Sequence, residues 1–424
     1  MEGVMKRALL VFVIAILVLS SGGQAQAVKE DQTLTLDECL EISLKRHPDI
    51  RGAQAVIKAL QSRADQVDLE WKPDLGFSGS YNRRSITDEG FDRYSNSLTM
   101  SKLLSDGGKT ELESTIAKLQ LKISEYDYDT VLQNLLYDVK EAYFNLLKAQ
   151  KRVQVAEEAV RMYEHRLRQA EAFYEVGRVP RYDVTTAEVD LSRGKLELVQ
   201  ARTGARSARS SLNNAMGFPE APEFSIEDML SYEEVGFSQD RAVATAMEMR
   251  PQLNARRTEK TSAEKSVNLA SRSNNPVLKA NAGYSWGDED YTGNEELYLG
   301  VSVNVPIYDK GLAREKTREA RFRVEEADAK LTALEQDVIL EVEKAYMEVH
   351  DSIEAIDTAA KTVQQAMQNL ELANGRYEVG VGSPVEVTDA TENYISATNS
   401  YYTTLYDYWL ALAALEKATG GIIE

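Results

Sequence analysis

From Gly108 to Phe173, apolar residues return at steps of three and four, with Leu132, Leu135, Leu136, Val139, Tyr143, Leu146 and Leu147 on one stripe. The segment has no proline and, after Gly108, no glycine, which predicts one unbroken helix. At 1.5 Å per residue that helix is roughly 100 Å long, far beyond a globular helix. Gly311 to Arg376 carries the same pattern over the same length. Shorter helices are predicted over Arg181–Met216, Pro384–Thr419, Pro48–Trp71 and Pro251–Ser273, with short ones over Leu36–Arg46 and Ser238–Met249. In each half two shorter helices together nearly equal the long one. One long helix can therefore run out while two, stacked end to end, run back. Gly217-Phe218-Pro219 and Gly420-Gly421 supply the stops where stacked helices meet.

Between these helices the period changes to two. Leu297, Leu299, Val301, Val303 and Val305 alternate with Tyr298, Gly300, Ser302 and Asn304. Leu278, Ala280, Ala282, Tyr284 and Trp286 alternate with Val277, Lys279, Asn281, Gly283 and Ser285. Leu75–Arg84 and Tyr94–Leu104 repeat the pattern less cleanly, and polar loops Ser85–Asp92 and Gly287–Asn294 join each pair. Each half thus supplies one β-hairpin, about 75–104 and about 277–306. Its strands are about ten residues long, the length that crosses a bilayer at a tilt. Tyr81, Tyr94, Tyr284, Trp286 and Tyr298 are candidates for one aromatic girdle, with Trp71 and Tyr308 near the other end. Taken alone the alternation fits a small soluble sheet equally well. If the strands lie in lipid, their edges cannot stand open, and four strands cannot close a barrel. Oligomerisation then follows: two chains give eight strands and a filled interior, three give twelve and a lumen.

The halves are copies. Tyr174-Glu175-Val176-Gly177 recurs as Tyr377-Glu378-Val379-Gly380, 203 positions on. The same offset aligns Pro48 with Pro251, Pro73 with Pro276, Asp106 with Asp309, Val184-Thr185 with Val387-Thr388, and Gly217 with Gly420. No insertion is needed. The period far exceeds a solenoid unit, so the chain reads as a duplicated module, 28–220 and 221–424.

Met1 to Ala27 reads as a secretory signal peptide: Lys6-Arg7, the apolar run Ala8–Leu19, and Ala25-Gln26-Ala27 as a small-x-small cleavage site. The formal charge is −19, and removing Glu2, Lys6 and Arg7 with that segment leaves −20. So acidic a chain is a poor nucleic-acid ligand, while 43% hydrophobic residues with sustained periodicity argue against disorder. Cys39, the single cysteine, excludes an intramolecular disulfide and reads as a buried residue of a short helix. His47, His165 and His350 lie on separate elements, and no nucleophile or phosphate-loop motif occurs. Neither an enzyme nor a cofactor or metal is expected.

These features together resemble the TolC-like outer membrane efflux proteins. The most specific marks are the repeat, the helix starts at Pro48-Asp49 and Pro251-Gln252, Val305-Pro306-Ile307-Tyr308-Asp309-Lys310-Gly311, and both Tyr-Glu-Val-Gly turns. Tyr182-Asp183-Val184 and Glu386-Val387-Thr388-Asp389-Ala390 complete the pattern. The resemblance implies a mainly α fold with a membrane β-barrel: a homotrimer with a twelve-stranded barrel in the outer membrane and a helical tunnel through the periplasm. It implies a passive exit duct for small molecules, docked to a periplasmic adaptor (membrane fusion protein) and an inner-membrane pump. A duct for type I protein secretion shares the fold. A periplasmic coiled-coil adaptor or a structural envelope coiled coil are alternatives of another class; the first carries lipoyl and barrel segments for which this chain has no run of β modules, and the second does not need paired amphipathic hairpins.

Glu386 and Asp389 are three apart and share a helix face. They match the acidic pore constriction of the family; as ordinary helix-start residues they would equally favour the helix dipole. Asp183 and Tyr377 match positions that hold the family's entrance closed. Gly382 stands where the family pattern has an arginine, and Arg178 and Arg181 are candidates to replace it. Val176-Gly177-Arg178 and Val379-Gly380-Val381 resemble the turns to which adaptors dock.

Overall fold

The computed structural model describes residues 32–86, 89–228, 236, 238–288 and 294–421; the signal-peptide segment lies outside them. In chain order the elements are β1 (Thr33–Leu34), α1 (Leu36–Arg46), α2 (Pro48–Asp68, then a 3-10 turn Leu69–Trp71), β2 (Asp74–Ile86) and β3 (Glu89–Ser105). There follow α3 (Lys109–Glu175), α4 (Arg181–Ala215), β4 (Ser225–Ile226), α5 (Gln239–Met249) and α6 (Pro251–Ser271). The last are β5 (Val277–Asp288), β6 (Asn294–Asn304), α7 (Leu312–Glu378) and α8 (Pro384–Thr419). The long helices α3 and α7 each run 67 residues unbroken. Among the described residues no helix is long and apolar enough to cross a membrane.

The fold divides into two compact units, each drawing on both halves of the sequence repeat. The first comprises β1, α1, the later part of α3, α4, β4, the end of α7 and most of α8. Its small core shows why an isolated two-residue strand pair holds. β1 and β4 pair in parallel, Thr33 with Ser225 and Leu34 with Ile226. The Tyr143 hydroxyl, buried on α3, donates to the Glu227 carbonyl at 2.7 Å, so the pair is pinned to the helix. Asp228 then accepts from Tyr406 at 2.6 Å and pairs with Lys151 at 2.5 Å. Around these, Phe144 stacks on Trp409 with centroids 5.8 Å apart. A capping box opens α1: Glu38 N–H donates to Thr35 Oγ1 and Thr35 N–H donates to the Glu38 carboxylate. Cys39, fully buried one residue on, has its thiol pushed up to about 12, by burial first and by Glu38 second.

The second unit carries an antiparallel sheet in the order β2-β3-β5-β6. Register sorts most of its side chains into an apolar and a polar face, with exceptions that include Asn96 and Lys102 on the first and Tyr298 on the second. Directly opposed residues share a face, and the pairs Phe77–Leu98, Leu98–Tyr284 and Tyr284–Leu297 run across all four strands. The same face carries Leu75, Tyr81, Met100, Trp286, Leu299, Val301 and Val303. Leu297 and Leu299 are 72% and 79% exposed, so this apolar face is bare. The opposite face carries Ser78, Ser80, Ser95, Ser97, Thr99, Asn281, Ser285 and Ser302. Here Ser78 and Ser97 share a hydrogen bond of 2.8 Å, and Asn281 donates to Ser302 at 2.8 Å.

Tyr81, Tyr94, Tyr284 and Trp286 gather at one end of the apolar face, with Tyr81–Tyr94 centroids at 4.9 Å and Tyr284–Trp286 at 5.4 Å. Tyr298 does not join them. It pairs with Gly283 on the polar face, where its ring occupies the space a Cβ at Gly283 would take. Its place in the alternation, between Leu297 and Leu299, already assigns it there. The strands also run further than their sequence pattern: β2 reaches Ile86, β3 starts at Glu89, β5 reaches Asp288 and β6 starts at Asn294. Residues 85–86, 89–92, 287–288 and 294, within the expected loops, thus belong to strands, and 87–88 and 289–293 lie outside the described residues.

Asp106 and Asp309, repeat equivalents, start the long helices. Asp106 accepts from the N–H groups of Gly108, Lys109 and Thr110, and Asp309 from those of Gly311 and Ala313. These donors stabilise the ionised form. The Ala313 N–H, then Asn274, hold the Asp309 carboxyl down at about 2.

The repeat also builds the same joint twice. The bend between α1 and α2 at His47 sits over Gly217, and the bend between α5 and α6 at Arg250 sits over Gly420. Both glycines have positive φ, 65° and 83°, and a Cβ on either would lie 2.9 Å from the Cα of the facing residue. Alanine at Gly217 or Gly420 should therefore cost the left-handed backbone penalty of about 1–2 kcal/mol and a collision besides. Gly52, mid-helix in α2 with open space around its Cβ position, should behave oppositely, alanine there stabilising by roughly 0.5–1 kcal/mol. Thermal unfolding of the three variants checks the contrast; equal effects would remove the joint as a constraint.

Candidate functional site

The turns α3–α4 and α7–α8, both in the first unit, carry every residue singled out from sequence. They close alike. Arg178 N–H donates to the Phe173 carbonyl and Val381 N–H to the Arg376 carbonyl, each five residues back, with Gly177 and Gly380 at φ of 73° and 82°. Val176, Val379 and Val381 stand out, each about two-thirds exposed or more. Beneath the second turn Tyr377 is buried with Leu370, Ala373, Val387 and Ala390, and its ring lies 5.8 Å from Phe173.

The two helix starts diverge. Asp183 and Glu386 are repeat equivalents, both in a first turn. Asp183 is buried, and burial pushes its carboxyl above the ordinary range, Arg166 opposing. Burial, then Asp183, raises the Tyr377 phenol. Glu386 instead is exposed and accepts from Arg376 Nε at 3.3 Å. Asp389 lies on the same exposed face, opposite the buried Val387, Ala390 and Thr391. Ser383 caps α8 by accepting from Glu386 N–H at 3.2 Å.

The deepest charge in the region is one the sequence reading passed over. Arg166 and Asp190 have side chains only 7% exposed and pair at 3.2 Å, Nη1 to Oδ2. Arg166 also donates to Thr388 Oγ1, and through Nη2 to the Pro384 carbonyl at 2.5 Å. The Thr388 hydroxyl is placed to donate a hydrogen bond to Asp190 or to the Pro384 carbonyl, each at 3.1 Å. One guanidinium thus ties α3 and α4 to the first turn of α8. Burial lowers the Arg166 pKa and Asp190 opposes, yet an arginine starts so high that it stays charged. Arg178 donates to the Glu378 carbonyl and lies over the Phe173 ring, while Arg181 lies over Tyr174. The signal for Arg166 was a mismatch in the repeat: its equivalent is Asn369, and that of Asp190 is Asn393. Opposite charges absent together from the other half mark a pair.

The chain matches the outer membrane efflux protein family over 39–218 and again over 242–421, two matches separated by the repeat spacing of 203. The outer membrane protein TolC of Vibrio cholerae serotype O1 is 24% identical over 73% of this chain and 72% of its own length. TolC of Escherichia coli K12 is 22% identical over 89% and 80%. Among solved structures, the channel protein CusC superposes with a TM-score of 0.81 at 17% identity, covering 95% of this chain and 97% of that one. A chain that meets one family pattern twice, at its own internal spacing, and presents a sheet with one apolar and one polar face belongs to the outer membrane efflux protein family and forms an exit duct across the outer membrane.

Proposed function

We propose that the duct is a homotrimer that conducts small molecules passively, fed by an inner-membrane pump through a periplasmic adaptor. The observation that carries this reading is the sheet. β2 and β6 are its outer strands, their far edges unpaired among the described residues of one chain, and one face is predominantly apolar, interrupted by Asn96 and Lys102. Open edges are intolerable in lipid, so copies must pair β6 to β2 until the ring closes. Three chains give twelve strands and leave the serine-rich face around a lumen. In this assembly Glu386 and Asp389 form stacked carboxylate rings at the entrance and attract cations. Asp183 and Tyr377 restrain the hairpins, and Val176–Arg178 with Val379–Val381 receive the adaptor. Crosslinking in mild detergent should trap a trimer. A monodisperse monomer that keeps a β-barrel spectrum would refute the proposal.

A further inference from the structure

Arg376 and Glu386 form an ion pair that only the second turn possesses. At the equivalent positions of the first turn stand Phe173 and Asp183, and Asp183 is buried rather than paired across its turn. The turn therefore closes without such a clamp, because the main-chain bonds from Arg178 to Phe173 and from Val381 to Arg376 are the same in both copies. What Arg376 adds is charge. Its side chain is 57% exposed and that of Glu386 is 47% exposed, so the pair stands in solvent beside Asp389, on the face that carries the acids.

Gly382 belongs to this arrangement. Its φ is ordinary, so its backbone does not demand glycine. Space does. A Cβ there would lie 2.9 Å from Arg376 Cβ and 3.0 Å from the Arg376 carbonyl carbon and the Tyr377 nitrogen. The first turn has Val179 at the equivalent position, opposite Phe173. A side chain is thus accommodated in one turn, whereas in the other the residue against Arg376 is reduced to a hydrogen.

We propose that Arg376 sets the ionic selectivity of the entrance by neutralising Glu386, so that Asp389 carries most of the field. The inference rests on the reading of Glu386 and Asp389 as the pore acids. In a trimer, six carboxylates are then offset by three guanidinium groups, and the entrance is weakly rather than strongly cation-selective. Anionic cargo meets a smaller barrier than the acids alone would raise.

Reversal potentials of the purified trimer in planar bilayers under a KCl gradient test this. Arg376→Ala should raise the K+/Cl− permeability ratio about sevenfold, because a change in local potential on the order of one kT enriches K+ and depletes Cl− by the same Boltzmann factor. Arg376→Lys should keep the wild-type ratio, and Arg376→Gln should repeat the alanine result should the alanine variant fail to assemble. Arg323→Ala removes an exposed, ion-paired arginine elsewhere on α7 and should leave the ratio unchanged, separating a local field from net charge. The variant Glu386→Ala with Asp389→Ala should lower the ratio. If that double variant keeps wild-type selectivity, the acids do not line the pore and the underlying reading fails. If it lowers the ratio while Arg376→Ala and Arg376→Gln leave it unaltered, the pore reading stands and the role of Arg376 is overturned.

Discussion

Arg166→Ala should free the first turn of α8 from its neighbours at a cost of about 3–5 kcal/mol, the penalty for leaving one partner of a buried ion pair uncompensated. The loss is more than one contact. Asp190 stays buried without its cation, and it and the Pro384 carbonyl are left to share the one proton of the Thr388 hydroxyl, which lies 3.1 Å from each. Amides from Val385 to Thr391 should exchange with solvent roughly two to four orders of magnitude faster, while those of α1 should not change. Arg166→Met combined with Asp190→Leu should cost far less than Arg166→Ala, since both charges leave together and similar volumes remain. Unchanged exchange at 384–391 in Arg166→Ala would mean that the packing of Tyr377, Val387 and Ala390 holds α8 unaided.

A comparable effect is expected in the sheet. Leu299→Arg places a charge at the middle of the bare apolar face and should cost about 2–4 kcal/mol per chain at the bilayer midplane. Because every copy carries it, the variant should fail to accumulate as an assembled outer-membrane protein. Ser302→Arg, on the opposite face of the same strand, should assemble normally and narrow the lumen, lowering single-channel conductance. Heat-modifiable migration reports the first and bilayer recording the second. The reverse outcome, with Leu299→Arg assembled and Ser302→Arg lost, would turn the sheet inside out.

The helices were legible because their cause is local and repeated. Proline starts at 48, 251 and 384 and glycine stops at 217 and 420 coincide with helix boundaries in the structure. Two ends extend beyond their apolar stripes, α3 to Glu175 and α7 to Glu378, because a helix runs on until the turn glycine breaks it rather than until apolar residues cease. The hairpins were legible in place but not in extent, since polar residues at strand ends leave no period-two mark. β1 and β4 left no mark at all: two residues cannot show a period, and what holds them is a tyrosine more than 80 positions away. The two helix turns divided in the same way. That Glu386 and Asp389 share a helix face follows from their spacing, whereas Arg166 and Asp190 sit on different helices 24 positions apart and meet only after the α3–α4 hairpin has folded. A comparison of the halves that seeks agreement passes over such a pair, because it lies where the halves disagree.

Cys39 turns the first unit into its own reporter. The thiol is sealed under α1 and held in its protonated form near neutrality, so the folded chain is silent to thiolate-directed reagents. It answers only when α1 lifts away. The speed at which an alkylating reagent consumes that sulfur therefore measures how often this end of the protein breathes, without a label, a tag or a substitution. Any cysteine introduced elsewhere as a probe can be followed against a native clock that runs at the rate of local opening.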